Sequence, residues 1–486
     1  MTFVRFIFRN IPVLLLLLVG GGLIYMQSGC ARIVPPQGGP KDTLPPVLVK
    51  ALPRDSMLHM PLTGVKIVLN FDEYVQQLDN PTQNILVNPT MKQMPIYESL
   101  LRTVTIKIKD TLEPNTTYTI NFGKSIKDVD EGNVLRNFTY IFSTGSLLDS
   151  GALAGRVRIA QTNKADSTMI AILQRHTDDS AVAKEVPRYV ARIDTLGRFA
   201  FHNIQPGTYA IYALKDNGDK RYRDKSVLFA FYDHPVTVTT RLDPKDSVLM
   251  YAYAEEGPAP KTTPKTNAKP ANNKKAKKEE HKLHLGNNLK GGKQDILSDL
   301  ILTYDVPIQK MDSTLLQLTD TLYNPIPFKL FEDTLRKNFT IRYMQPVWPT
   351  DADFRLIIGK QFAVDTDGVT LLKSDTVAFK TNKESDYGSL TLRLKNFDLS
   401  RHPVLQFVQS DKIVDSIKVT GNIINRDFYH PGDYELRVLY DTNQNGTWDP
   451  GSFFGVHRQP EIVVQPAIRK IRVRGNGWEN EYDVVL

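Results

Sequence analysis

The nonapeptide Asp441-Thr442-Asn443-Gln444-Asn445-Gly446-Thr447-Trp448-Asp449 sets oxygen-bearing side chains at alternate positions around a glycine. Asp441, Asn443, Asn445, the Thr447 backbone carbonyl and Asp449 fall at the spacing a Ca²⁺ loop requires. The closing bidentate glutamate is missing, because Ser452 stands in its place. A shorter counterpart, Asp216-Asn217-Gly218-Asp219 with Asp224, is interrupted by Lys220, Arg221 and Arg223 and is the weaker calcium candidate. Two Asx-rich hairpin turns without metal account for the same residues.

Catalytic arrangements are poor. No HExxH, GxSxG or phosphate-binding glycine loop occurs, so no catalytic residue is assigned and the chain reads as no enzyme. His281 and His284 lie in a Lys- and Pro-rich stretch, and His430 abuts a turn proline. His59, His176, His202, His234, His402 and His457 are scattered singly, as surface or half-buried side chains are. Carboxylate pairs such as Asp72-Glu73 sit beside expected strand ends, where a solvated edge explains them without the cleft a glycosidase needs.

The one cysteine, Cys30, follows a charged start (Arg5, Arg9), an apolar run from Ile11 to Ile24 and the small pair Ser28-Gly29. The run is shorter than the ~20 residues that span a bilayer. This arrangement resembles a bacterial lipoprotein signal, with Gln27 where an aliphatic residue is usual. The resemblance implies removal of residues 1–29, lipidation of Cys30 and a tether over residues 30–44. Two or three acyl chains, at about 0.8 kcal/mol per buried CH₂, hold a protein firmly on a membrane. An ordinary secretory signal with an incidental thiol is the competing reading. With Cys30 given to lipid, no internal disulfide can form, and the exported domains must be held by their apolar cores.

Those domains number roughly three or four, because 486 residues exceed what one hydrophobic core organises. A hydrophobic content of 41% and a charged content of 23% are ordinary for soluble globular domains. The net charge of +8 implies no nucleic-acid partner, because much of the excess sits in residues 255–293. There Lys274, Lys275, Lys277 and Lys278 precede Glu279 and Glu280 in a stretch nearly empty of large apolar side chains. Such a segment reads as a disordered basic linker, serving as a solvated hinge or as a contact for anionic lipid headgroups or acidic glycans.

The two sides of the linker repeat each other. Gly123-Lys124, Gly132 and Phe142-Ser143-Thr144 return as Gly359-Lys360, Gly368 and Phe379-Lys380-Thr381. Pro206-Gly207-Thr208-Tyr209 returns as Pro431-Gly432-Asp433-Tyr434. Period-two alternation in Val65–Leu69, Thr103–Ile108 and Tyr118–Phe122, with turns between, predicts antiparallel sandwiches. Leu112, Tyr118 and Phe142 belong to the first core, with Tyr118 as a corner residue.

Phe71-Asp72-Glu73, Leu112 to Tyr118, Asp128 to Asn133 and Phe142-Ser143-Thr144-Gly145 resemble the bacterial Ig-like domain of S-layer and other surface proteins. That resemblance places such a domain at 45–147 and a degenerate copy at 297–385. Arg198-Phe199-Ala200-Phe201 with Pro206 to Ile211 resembles the hairpin of the carboxypeptidase-regulatory-like, B-type sandwich, expected at 150–254 and again at 387–486. The implied fold is all-β, with tandem Ig-like and prealbumin-like β-sandwiches in A-B-linker-A-B order. The whole, with Gly38 to Pro46 after the cysteine, resembles the Ig-like-domain lipoproteins of Bacteroidota. Ala31-Arg32-Ile33-Val34 lacks the acidic residues that accompany surface export in that group, so either face of the outer membrane is open.

Asp-(Ser/Thr)-apolar tripeptides begin at Asp42, Asp55, Asp110, Asp179, Asp194, Asp246, Asp320, Asp333, Asp375 and Asp415. They fit O-glycosylation acceptors and turn-to-strand junctions equally. The expected role is that of a non-catalytic, lipid-anchored outer-membrane scaffold, offering strand edges to an envelope protein such as an outer-membrane barrel or its assembly machinery. The alternative is a glycan-binding or adhesive lipoprotein with Trp348, Trp448 and Trp478 as a platform.

Overall fold

The computed structural model describes residues 41–239, 248–256 and 282–486. Cys30, the signal segment, Asp246, His281 and most of the expected linker lie outside them. The described chain is all-β, and its only α-helices are the four-residue turns Pro81–Asn84 and Ala181–Lys184. Four hydrophobic cores mark four sandwiches in sequence.

The first and third sandwiches share one plan. In the first, Leu48–Leu52, Lys66–Phe71, Thr103–Lys107 and Ile96–Leu100 lie side by side, facing a sheet of Leu86–Asn88, Thr117–Asn121 and Thr139–Ser143. Alternation builds it: Ile67 opposes Ile106 and Leu69 opposes Val104, all four fully buried. In the third, Leu285–Asn287, Leu300–Tyr304, Asn338–Tyr343 and Phe328–Glu332 take the same spatial order. The repeated threonine makes the same clasp twice. Thr144 Oγ1 accepts from Thr116 N at 3.0 Å and donates to Glu113 O at 2.7 Å. Thr381 Oγ1 accepts from Ala352 N at 2.9 Å and donates to Pro349 O at 2.6 Å. Tyr118 is a corner residue, its Oη accepting from Glu113 N at 2.8 Å.

The second and fourth sandwiches repeat each other strand for strand. Each has eight strands, from Gly151–Ile159 to Val248–Ala252 and from Gly388–Lys395 to Glu479–Val485. Taken in chain order within a module, both form one sheet 4-1-8 and another 3-2-5-6, with strand 7 also pairing strand 5. The first and last strands run parallel in both. The Pro-Gly-x-Tyr repeat is a corner in each: Tyr209 Oη donates to Gln205 O and Tyr434 Oη to His430 O, both at 2.8 Å.

The linker is shorter than its composition implies. Glu255 is held by Lys225 Nζ at 3.4 Å, with its side chain 8% exposed. Leu283 is buried in the third core, Leu285–Asn287 pairs with Leu300–Tyr304, and Lys293–Gln294 pairs parallel with Lys380–Thr381. The third sandwich therefore opens by residue 283, ahead of the expected 297, and His284 lies 3.1 Å from Asp305 rather than in a structureless segment. Strands of two or three residues carry too little alternation to be read from sequence.

Asp295 joins the third sandwich to the fourth, accepting from Tyr387 Oη at 2.6 Å with His430 Nε2 at 3.1 Å. Burial pushes its carboxyl up, but hydrogen bonds from His430, Tyr387 and Leu297 outweigh this and set it at about 2. A carboxyl lowered from about 3.9 in the unfolded chain adds stability that is complete above that value and lost as pH falls through about 2. The Ile296 amide, which donates to Tyr387 Oη, should therefore exchange faster with solvent deuterium as pH falls across that window, after correction for intrinsic rates. Asp295→Asn should abolish the acid-dependent component.

Candidate functional site

The loop between the strands Gly432–Tyr440 and Ile462–Val464 holds the calcium candidates, and its own hydrogen bonds close it. Asp441, 1% exposed, accepts from Asn445 N at 3.2 Å through Oδ1 and from Gly446 N at 2.7 Å through Oδ2. Gly446 turns there with φ +82°, in the left-handed region that favours glycine. Asn445 Oδ1 accepts from Thr447 N and Thr447 Oγ1, while the Asn443 and Asn445 amides both donate to Asp449 Oδ2 at 2.7 Å. Glu461 enters from the far end of the loop: Thr442 N donates to one of its oxygens at 2.7 Å and Asp449 N to the other at 3.0 Å. Burial pushes the Glu461 carboxyl up; the two backbone donors oppose this, and the charges of Asp441 and Asp449 add to it.

This braced loop delivers a hydrophobic plug. Phe453, 1% exposed, seats on the outer face of the second sandwich, with ring centroids 5.1 Å from Phe229, 5.1 Å from Phe231 and 5.5 Å from Tyr212. Phe454 stacks on Tyr222 at 5.8 Å, and Tyr222 stacks on Phe229 at 3.8 Å. Polar contacts ring the plug. Phe453 N donates to Glu255 Oε1 at 3.2 Å, Gln459 Nε2 to Asp233 Oδ1 at 2.7 Å, and Val463 N to Ala160 O at 2.8 Å. His457 Nε2 lies 2.7 Å from Asp179 Oδ2. Gly451 packs so closely that a Cβ there would lie 2.6 Å from Tyr253 Cζ. The two halves of the duplicated chain are thus clasped together, second sandwich to fourth.

Neighbouring sandwiches also cover each other's edges. Asn88 and Val190 exchange two hydrogen bonds, at 2.8 and 2.9 Å, and Thr90 N donates to Arg188 O at 2.9 Å, joining edge strands of the first and second sandwiches. Arg188 binds Glu113 with both terminal guanidinium nitrogens, Nη1 to Oε1 and Nη2 to Oε2, the latter at 2.6 Å.

The weaker candidates do not form one arrangement. Asp216 accepts from Gly218 N and Lys220 N, Asp219 from Arg221 N, and Asp224 from Ser226 N and Oγ, each closing its own turn. Among the described residues no group of three or more His, Cys, Asp or Glu is placed to hold a metal. Nor do the tryptophans make a platform: Trp348 is 2% exposed in the third core, Trp448 packs under the clasp, and Trp478 is 55% exposed beneath Arg474. A platform needs exposed indoles, but Trp348 finds its partner inside, donating to Ser298 O at 3.1 Å. Asp194, Asp320 and Asp333 each cap a hairpin turn, accepting backbone N–H groups two to five residues on. The hydroxyl residues at these tips, Thr195, Thr321 and Thr334, are exposed.

Sequence reasoning did not bring forward Phe453, Phe454, Tyr222 or Glu461. Its one available signal was the adjacent pair Phe453-Phe454 between Gly451 and Gly455 in a loop, where two large apolar side chains require a partner surface. Truncating the plug in Phe453→Ala should cost about 3–5 kcal/mol at the seam. Faster hydrogen exchange at the Val463 amide, with the Ile67 and Leu69 amides of the first core unchanged, is the expected reading.

Residues 42–144 match the family model described as bacterial Ig-like domain. No curated protein is significantly similar to the chain. Among solved structures, similarity is found to the Bacillus anthracis TIE protein, at 9% identity over 93% of this chain and 76% of that one, with a TM-score of 0.16. It is also found to BcpA, the major pilin subunit of Bacillus cereus, at 9% identity over 69% of this chain and 99% of that one, with a TM-score of 0.16. The S-layer protein rSbsC(31-844) aligns at 15% identity over 90% of this chain and 54% of that one, with a TM-score of 0.15. The chain is a tandem array of β-sandwiches whose first module matches the bacterial Ig-like domain.

Proposed function

We propose that the protein is a non-catalytic scaffold of the cell envelope, anchored to the outer membrane through acylated Cys30 and presenting sheet edges to an envelope protein, with an outer-membrane barrel or its assembly machinery as the partner class. The observation that carries this reading is the clasp: a chain without disulfides uses a braced loop and an aromatic plug to fix two halves as one body. A scaffold gains from such fixed spacing, because a partner then meets preorganised edges. The Ig-like match at 42–144 supports an envelope role.

Edges remain for strand addition. Ile96–Leu100 is the outer strand of its sheet and carries Ile96, Leu100 and, just beyond, Leu101 at 37, 73 and 66% exposure. Lys412–Lys418 ends a sheet of the fourth sandwich with Ile413 and Val414 half exposed. An outer strand offers unpaired N–H and C=O groups to an incoming chain. The glycan-binding alternative keeps only Trp478 as an exposed indole.

Protein N–H groups already occupy acceptor sites on Asp441, Asn443, Asn445 and Asp449 and hold the loop closed; an unchanged melting temperature on calcium titration is the expected outcome. Cys30→Ala should move the protein from the membrane to the soluble fraction. Leu100→Lys with Ile413→Lys should abolish co-purification of the partner in mild detergent, at a stability cost within about 0.5 kcal/mol per site because both side chains are exposed. A wild-type protein that always purifies alone would defeat the scaffold reading.

A further inference from the structure

We infer that the seam between the second and fourth sandwiches contains an anion-binding site for phosphate esters carrying two or more negative charges. A cleft of about 520 Å³ opens there, with Arg158 and Lys164 from the second sandwich on one side and Arg469 and Lys470 from the fourth on the other. Among the described residues Glu435 is the only carboxylate lining it, and Oε1 of that residue is already occupied, by Arg437 Nε at 2.9 Å and Gln465 Nε2 at 3.4 Å. Lys164 reaches Asp411 at 2.8 Å. Among the described residues, Arg158, Arg469 and Lys470 form no ion pair. Behind Glu435 lies the Arg437 guanidinium, its side chain 5% exposed, with Nη2 lacking a hydrogen bond and no nearer to the Asp411 carboxylate than 3.5 Å.

Five cations (Arg158, Lys164, Arg437, Arg469, Lys470) thus meet two carboxylates (Glu435, Asp411), an excess of three positive charges. Several surface cations elsewhere sit in one-to-one pairs, as in Lys107–Glu98, Arg393–Glu481 and Lys395–Asp483. Like charges drawn from two domains raise the local positive potential, and the field of such a cleft concentrates anions. The site is also stiff. Val463 N donates to Ala160 O, Ile159 N to Lys164 O and Leu436 N to Arg469 O, all at 2.8 Å, so the backbone at each wall is fixed. Guanidinium forks pair with phosphoryl oxygens through two parallel hydrogen bonds, and lysine adds a point charge. The charge excess selects a dianion or polyanion over a single carboxylate.

This inference does not depend on the scaffold reading. Inorganic pyrophosphate titrated calorimetrically into the full chain should bind saturably and more weakly as salt rises. Arg469→Ala and Lys470→Ala should each weaken binding about tenfold, while Lys66→Ala, on an exposed position of the first sandwich, should leave it unchanged. Sedimentation of the Cys30→Ala chain with cardiolipin vesicles, whose headgroup carries two phosphates, against phosphatidylcholine vesicles, identifies the source. Vesicle binding lost in Arg469→Ala assigns a lipid headgroup; pyrophosphate binding alone assigns a soluble phosphate ester. Absence of binding to either probe, or binding that Arg469→Ala and Lys470→Ala leave intact, overturns the site.

Discussion

The seating of Phe453 on Tyr212, Phe229 and Phe231 is the contact on which the arrangement of the duplicated halves depends. Nothing covalent other than the chain itself holds the second sandwich to the fourth, and the aromatic faces involved would be a liability if bared. Burial of the plug and of the platform beneath it turns two exposed apolar surfaces into one small core, with Val182, Leu214 and Tyr253 completing it. The polar ring of Glu255, Gln459 and His457 fixes its registration.

Duplication supplied both parts of this contact. The loop after the fifth strand of the second sandwich and that of the fourth occupy the same place in the same sheet order. In the second sandwich it is short, tucks Tyr222 back against its own Phe229 and forms the floor. In the fourth it is longer, and the acid-and-amide bracing of Asp441, Asp449 and Glu461 carries it outward to become the plug. The same hairpin connection thus serves as floor in the second sandwich and as plug in the fourth.

Much of the fold was legible because alternation, corner tyrosines and turn residues all depend on near neighbours in the chain. The repeat of Pro-Gly-x-Tyr marked two corners, and the threonines of Phe-x-Thr marked two matching clasps. What escaped notice was of long range. Asp441 and Asp449 have the spacing of ion ligands, but their partner Glu461 lies beyond any local motif, and the surface that Phe453 fills comes from a module more than two hundred residues earlier. Short strands such as Leu285–Asn287 were likewise invisible, since their place is set by the sheet they join. Trp348 misled because an indole's size suits a ligand platform as well as a core.

The parallel pairing of first and last strands has a mechanical consequence. In the second sandwich, Gly155 to Ile159 runs alongside Val248 to Ala252 in five consecutive pairs, so the chain enters at one end of the ladder and leaves at the other. A pull on its two ends loads those pairs in shear, all at once, instead of peeling them singly as in a hairpin. A module wired this way resists opening when its chain is pulled from both ends.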